Sequence, residues 1–420
     1  MSALAPQIAR AARTALPALT GADIGRRNGF LGCLSRRLRC GSDRLLAANH
    51  EDMQRAQSLP ESLQDRLRLT PARIDALATA VEHRAARPDP LGQRFDARVL
   101  DNGLRLHRRR VPLGVLGVIY EARPNVTLDI AALAIKTGNA AVLRGGKEAL
   151  ASNRALVACV HDALREAGLP DSAIGFIDTG NRDEVLALLG CGDDVDLVIP
   201  RGGADLHAFC RQHARMPVVT GGIGICHLYV DRDVDAGRAL DVIHNAKTQR
   251  PTVCNALDTV LVHRDIAIHF VPALVRRLRD AGVELRLDAA ALATLDAAGR
   301  DEGVVAAVDG DYDREWLSLV LGVAVVGDMD AAIAHIRAHS SGHSDGILGN
   351  DPVLAARFLD EVDSAAVYWN ASTRFTDGGE FGLGAEVAVS TQRVHARGPM
   401  GLEQLTSYKW VVEGDYHVRA

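Results

Sequence analysis

The residues YEARPNVTLDIAALAIKTGNAAVLRGGKEA, numbers 120–149, decide how this chain is read. An apolar run at 114–120 closes on Tyr120, Pro124 opens a helical stretch over 126–137, and a second apolar run at 140–143 leads into the turn Gly145-Gly146. Short apolar runs bounded by glycine and joined by helices belong to a parallel sheet covered on both faces. The alternation continues with runs at 174–177, 195–199 and 217–219, between helical stretches at 149–167, 181–190 and 203–214. A second series follows, with strands expected at 225–230, 258–263, 321–326 and 345–349 and helices at 233–247, 265–281 and 329–339. The fold class is therefore α/β, with doubly wound parallel sheets.

Upstream, residues 1–87 read as helices separated by Pro and Gly: one to about Leu16, one from Asp23 to Arg39, one from Asp43, and one capped at Thr70-Pro71. Alternating residues 93–100 and 104–111 flank Asp101-Asn102-Gly103, a hairpin signal. Its strands carry many charges and few large apolar groups, so it needs a partner outside its own core. A single compact core does not accommodate 420 residues, and two or three domains are expected. A net charge of −5 with 47% apolar residues points to no nucleic acid and no membrane. The longest stretch without a charge, Met216 to Val230, is glycine-broken and too short to span a bilayer. Seven cysteines are scattered without a C-x-x-C pair, which fits reduced thiols and a cytoplasmic location. Basic residues are almost all arginine, with four lysines (Lys136, Lys147, Lys247 and Lys409), so a surviving lysine marks a place for a compact ammonium.

Three segments carry chemistry. In Lys247-Thr-Gln-Arg-Pro-Thr-Val-Cys254-Asn255 a helix ends, Lys247 and Arg250 supply positive charge, and Pro251 sets the cysteine on a non-helical turn. Nearby cations favour the thiolate, the nucleophilic form. A buried, inert cysteine is the alternative. Asn125, at the start of the helix after Tyr120, either caps that helix or donates its amide to an oxyanion. Arg144-Gly145-Gly146-Lys147 is a basic glycine turn at a strand C-terminus, suited to a phosphate-bearing nucleotide, although no G-x-G-x-x-G occurs in the chain. His339 and His343 are four apart, but Ser340, Ser341 and Gly342 between them read as a loop, and no metal is expected.

In this order the motifs resemble those of the aldehyde dehydrogenase superfamily. The resemblance covers nearly the whole chain and rests on residues 120–149, 218–231, 245–256, 341–348 and 382–412. It implies an aldehyde dehydrogenase-like fold of two doubly wound parallel-sheet domains with a small β oligomerisation element. Residues 1–91, 112–224 and 363–395 would bind NADP, 225–362 would carry the nucleophile, and 92–111 with 396–420 would pair strands between subunits of a homo-oligomer. The resemblance puts the nucleophile on Cys254 and the oxyanion amide on Asn125. Cofactor contacts fall on Arg144, Gly145, Lys147, Gly221, Gly222 and Glu315. Where relatives carry a ribose-binding carboxylate this chain has Lys147, which implies NADP(H) over NAD. Where hydrolytic members carry a general-base Glu it has Val219, so the thioester is expected to exchange with phosphate rather than water. The implied reaction is NADPH-dependent reduction of L-γ-glutamyl 5-phosphate to L-glutamate 5-semialdehyde and phosphate, in proline biosynthesis. Another acyl phosphate or acyl thioester is the alternative substrate. Arg123, Lys247 and Arg250 are the expected phosphate contacts, and His343, Ser344 and Asp345 the contacts for the amino-acid end. Association with the glutamate 5-kinase that makes the acyl phosphate is a further expectation.

Overall fold

Strands β1 (Arg94–Val99) and β2 (Arg105–Pro112) form the expected hairpin, and Gly103 at its tip takes φ +89°, which a residue without Cβ adopts freely. The partner that the charged hairpin needs lies in the same chain: the C-terminal strand Thr406–Glu413 pairs antiparallel with β2. Arg108 lies opposite Trp410 in that ladder, and its guanidinium sits 4.7 Å above the Trp410 ring and 4.5 Å above that of Tyr408. Cation–π stacking thus holds a ladder with little apolar surface of its own.

The structure, a computed structural model, describes residues 4–419 apart from 222 and 296–302. It divides into one unit of Met1–Thr220, Leu383–Ala388 and Met400–Ala420, and a second of Gly221–Gly382 and Val389–Pro399. The first unit contains β3 (Val115–Tyr120), β4 (Ala140–Gly145), β5 (Ile174–Phe176) and β6 (Leu197–Arg201) in one parallel sheet ordered β5-β4-β3-β6. Every residue of β3 and β4 is buried, as the uninterrupted apolar runs require. The run at 217–219 contributes only a bridge between Val198 and Val218. The N-terminal helices begin at their expected caps: Asp23 accepts from Arg26 N–H and Thr70 from Arg73 N–H. The first helix runs beyond the expected Leu16, through Pro17 to Thr20.

The second unit holds seven parallel strands: β7 (Cys226–Val230), β8 (Leu257–His263), β9 (Glu284–Leu287), β10 (Val304–Ala306), β11 (Val320–Val326), β12 (Ser344–Leu348) and β13 (Ala366–Trp369). Their order is β10-β9-β11-β8-β7-β12-β13. Side chains alternate between two cores, one on each face. Leu228, Val230, Val260 and Val262 pack with the helices Ala236–Thr248 and Arg264–Arg279, whereas Tyr229, Leu261 and Ile347 pack with Met329–His339 and Pro352–Glu361. β9, β10 and β13 have short, weakly patterned sequences and were not expected. β13 also moves a boundary. Residues 363–382, read from sequence with the first domain, belong to the second unit, because β13 pairs in parallel with β12.

Candidate active site

In the second unit the helix Ala236–Thr248 ends just before Pro251, and the chain turns through 251–256 into β8, with Cys254 half-buried on that turn. A close backbone approach and a set of hydrogen bonds hold the turn from two sides. A Cβ at position 224 would lie 1.5 Å from the Cys254 carbonyl oxygen, so only glycine lets the two stretches approach. From the other side, Asn255 Nδ2 donates to the carbonyls of Arg374 (3.2 Å) and Thr376 (3.0 Å), and Thr373 Oγ1 donates to the Asn255 carbonyl (2.8 Å). Cys226 donates its thiol to the Cys254 carbonyl at 3.3 Å; burial pushes that thiol well up, which leaves Cys226 the inert neighbour.

Lys247, expected as a phosphate contact, requires correction. It is fully buried, its Nζ donates to the Leu257 carbonyl at 2.9 Å, and Asp258 Oδ1 lies 3.7 Å away. An ammonium wholly out of water and bonded to main-chain oxygen braces the interior and does not meet a soluble substrate. Burial raises the Asp258 carboxyl to about 6 in spite of Lys247, while it lowers the lysine. Glu315 Oε1 accepts from Gly224 N–H at 2.9 Å, and burial lifts its carboxyl to about 7. This side chain is therefore tied to the glycine that abuts the nucleophile. Arg250 is exposed, as a substrate contact must be.

The triplet His343, Ser344 and Asp345 also departs from expectation. All three are fully buried. Asp345 Oδ1 accepts from the His227 backbone N–H (2.8 Å) and pairs with the His227 ring (3.0 Å), while Oδ2 accepts from Ser340 (2.7 Å) and from Ser364. A carboxylate with these partners is saturated and has no place for a substrate ammonium. Ser344 bonds to Thr376 Oγ1 (2.6 Å) and to His343 Nδ1 (2.8 Å), and burial holds His343 neutral, near 4. The set ties β12 to the loop that holds the Cys254 turn. Gly221 abuts the Val389 carbonyl, where a Cβ would come within 1.8 Å; Gly222 lies outside the described residues. Among the described residues no cluster suited to a metal is found, and no helix is long and apolar enough to cross a membrane.

In the first unit β3 leads into the helix Pro124–Lys136 through a tight bend, with buried Ala122 at φ +23°, unusual for a residue with a Cβ. Tyr120 OH and Thr127 Oγ1 bond at 2.6 Å, and Thr127 donates on to Asn153 at 2.9 Å, which locks the first turn of the helix to the strand. Asn125 sits in that turn, partly exposed, and its Nδ2 donates to Asp129 Oδ2 at 3.1 Å. Asp129 in turn pairs with the buried Arg84 at 2.6 Å. The amide is thus oriented by a carboxylate whose charge a guanidinium balances. Arg84 carried no signal in the sequence, because it lies on a distant helix. Beyond β4, Arg144 is buried and its guanidinium donates to the carbonyls of Gly145 (3.0 Å), Gly180 and Asn181 (3.3 Å each). Lys147, two positions past Gly145, is exposed at the C-terminal edge of the sheet. Gly145 lies tight over Asn153, where a Cβ would come within 2.2 Å of Nδ2. An exposed cation at this edge fits a phosphorylated dinucleotide.

Residues 2–309 match the model of the aldehyde dehydrogenase family. The chain is 54% identical to the γ-glutamyl phosphate reductase of Escherichia coli K12 over 416 residues, 99% of each chain. It is similar to the crystal structure of γ-glutamyl phosphate reductase from Thermotoga maritima, with a TM-score of 0.95, 44% identity and 99% of each chain covered. An acetylating aldehyde dehydrogenase from Geobacillus thermoglucosidasius shares the fold at 16% identity, with a TM-score of 0.67 over 99% of this chain and 97% of that one.

Proposed function

The chain belongs to the γ-glutamyl phosphate reductases of the aldehyde dehydrogenase family, and from that premise we propose how its own residues carry the reaction. It is an oxidoreductase of proline biosynthesis that reduces L-γ-glutamyl 5-phosphate to L-glutamate 5-semialdehyde and phosphate, using NADPH. Bound NADPH supplies the hydride. The second unit carries the nucleophile and the first would bind the cofactor, where Lys147 would supply the cation for its 2′-phosphate and Arg144 and Gly145 would shape the turn that holds it. Gly221, Gly222 and Glu315 complete the cofactor contacts.

The Cys254 thiolate adds to the acyl carbon, and the carbon–oxygen bond to phosphate breaks, leaving a thioester. Hydride addition gives a thiohemiacetal on Cys254, which collapses to the aldehyde and returns the thiolate. Each addition places negative charge on the former carbonyl oxygen, and the Asn125 amide and the Cys254 backbone N–H stabilise it. Arg123 and Arg250 meet the phosphate. The observation that carries the preference for phosphate over water is Val219, buried and apolar where a hydrolytic enzyme needs a carboxylate. The test is aldehyde-dependent NADP reduction with and without phosphate or arsenate. Equal rates would contradict this reading.

We also assign the sheet of β1, β2 and the C-terminal strand to pairing between subunits of a homo-oligomer, supported by the exposed Tyr408, Trp410 and Val412 on that strand. A single mass matching the monomer in light scattering at micromolar protein would reject this. The reaction fits the cytoplasm, where thiols stay reduced, and an association with the kinase that makes the labile acyl phosphate would shorten its exposure to water.

A further inference from the structure

We infer that Arg374 and Arg250 form an anion subsite beside Cys254 that holds the phosphate in both directions of the reaction. The inference rests on the acyl-phosphate reading above and adds a residue that the sequence did not single out. Three hydrogen bonds fasten the loop of Thr373, Arg374 and Thr376 to Asn255, the residue next to the nucleophile. The side chain of Arg374 is fixed as well: its Nε donates to Gln249 Oε1 at 2.7 Å, which sets the guanidinium beside Arg250, the next residue along. Among the described residues neither Arg374 nor Arg250 forms an ion pair, and Arg374 is anchored through Nε, which keeps its two terminal amino groups out of that bond. Burial, and then the charge of Arg250, work against the charge on Arg374, while the Asp377 carboxylate and, after it, the thiols of Cys254 and Cys226 interact with it favourably. Two like charges held together, one of them half-buried, repel each other and are relieved by an anion. The planar fork of a guanidinium matches two phosphate oxygens.

In reduction, attack by Cys254 Sγ forms the carbon–sulfur bond and breaks the carbon–oxygen bond, and the phosphate departs with the electron pair between the two guanidiniums. In the reverse direction a phosphate oxygen attacks the thioester carbonyl, the carbon–oxygen bond forms, and sulfur leaves as thiolate. The substrate has a second anion, the α-carboxylate, and the experiment separates the two.

The full-length enzyme is assayed in the aldehyde-oxidising direction at saturating NADP, with inorganic phosphate and glutamate 5-semialdehyde varied separately. For Arg374→Gln the expected result is a phosphate KM raised about tenfold or more, an aldehyde KM changed less than about twofold, and partial recovery in Arg374→Lys. A raised aldehyde KM with unchanged phosphate KM would assign the pair to the α-carboxylate and overturn the proposal, as would no change in either. One measurement needs no variant: inorganic phosphate is expected to slow alkylation of Cys254 by iodoacetamide in the wild-type enzyme. Absence of protection at phosphate concentrations that support turnover sinks the subsite alone. A wild-type enzyme that oxidises the aldehyde equally well without phosphate sinks the acyl-phosphate reading, and the subsite with it.

Discussion

The Asn125 helix and the Cys254 turn are both held in place before any substrate arrives, by different means. The turn is held without charges: Gly224 packs against the Cys254 carbonyl, and neutral side-chain-to-carbonyl bonds of Asn255 and Thr373 stitch it to the 373–376 loop. The amide of Asn125 is held by side-chain electrostatics, through Asp129 and Arg84. Backbone packing fixes a position whatever the ionisation around it. A charge-balanced side-chain pair fixes an orientation, and under the proposed mechanism it also keeps a carboxylate close to the place where negative charge develops. The first device therefore fails through sterics and the second through electrostatics.

The largest effect is expected at the nucleophile itself. Cys254→Ala should lower phosphate-dependent turnover by about 10⁴-fold or more while the protein remains folded, measured by NADP reduction and thermal melting. Retention of activity would end covalent catalysis as the mechanism. Gly224→Ala tests the backbone device next. With a Cβ 1.5 Å from the Cys254 carbonyl, the turn must shift, and a loss of about 10²-fold in kcat is expected. Wild-type kinetics there would show that the turn is not held by this approach.

On the electrostatic side, Asn125→Ala should cost about 10²-fold in kcat, and Asp129→Ala about tenfold with KM little changed. The double variant should be no worse than Asn125→Ala, because Asp129 acts through that amide; additive losses would refute the coupling. Lys147→Glu should raise the KM for NADPH by about tenfold and narrow the preference over NADH, measured by parallel titrations. The smallest effect concerns pH. Glu315 is raised by burial to about 7 from an ordinary value of 4.5, so the folded state holds a proton that the unfolded chain has lost across that window. Its stabilising contribution is full below about 4.5 and is lost as pH rises through about 7. Glu315→Gln should flatten the fall in urea stability between pH 5 and pH 8; an unchanged slope would place its pKa elsewhere.

Local pattern was enough for much of this. The apolar runs of β3, β4, β7 and β8 and the caps Asp23 and Thr70 were legible because each depends on neighbours within a turn or a strand. The turn that carries Cys254 was legible because Pro251 cannot continue the helix. The short strands β9, β10 and β13 were not, because three or four weakly alternating residues become strands only beside a formed sheet edge.

Charged residues divide the same way. A lysine in the sequence declares its charge and not its depth. Lys147 proved exposed, whereas Lys136 and Lys247 are fully buried and donate to backbone carbonyls of Ala85 and Leu257. Ser344 and Asp345 looked available in a glycine-rich stretch and were drawn into the interior once β12 paired on both sides.

The sequence by itself determined the α/β class, the hairpin, the turn that carries Cys254 and the cation at position 147, since these follow from residue type and short-range order. Only the tertiary structure decided which polar groups are spent on the interior and which distant ones come to the chemistry. Arg84 reaches Asn125 through Asp129, and Arg374 reaches the Cys254 turn through Asn255. Both are long-range contacts, made when separate elements pack together, and residue order along the chain carries no record of them.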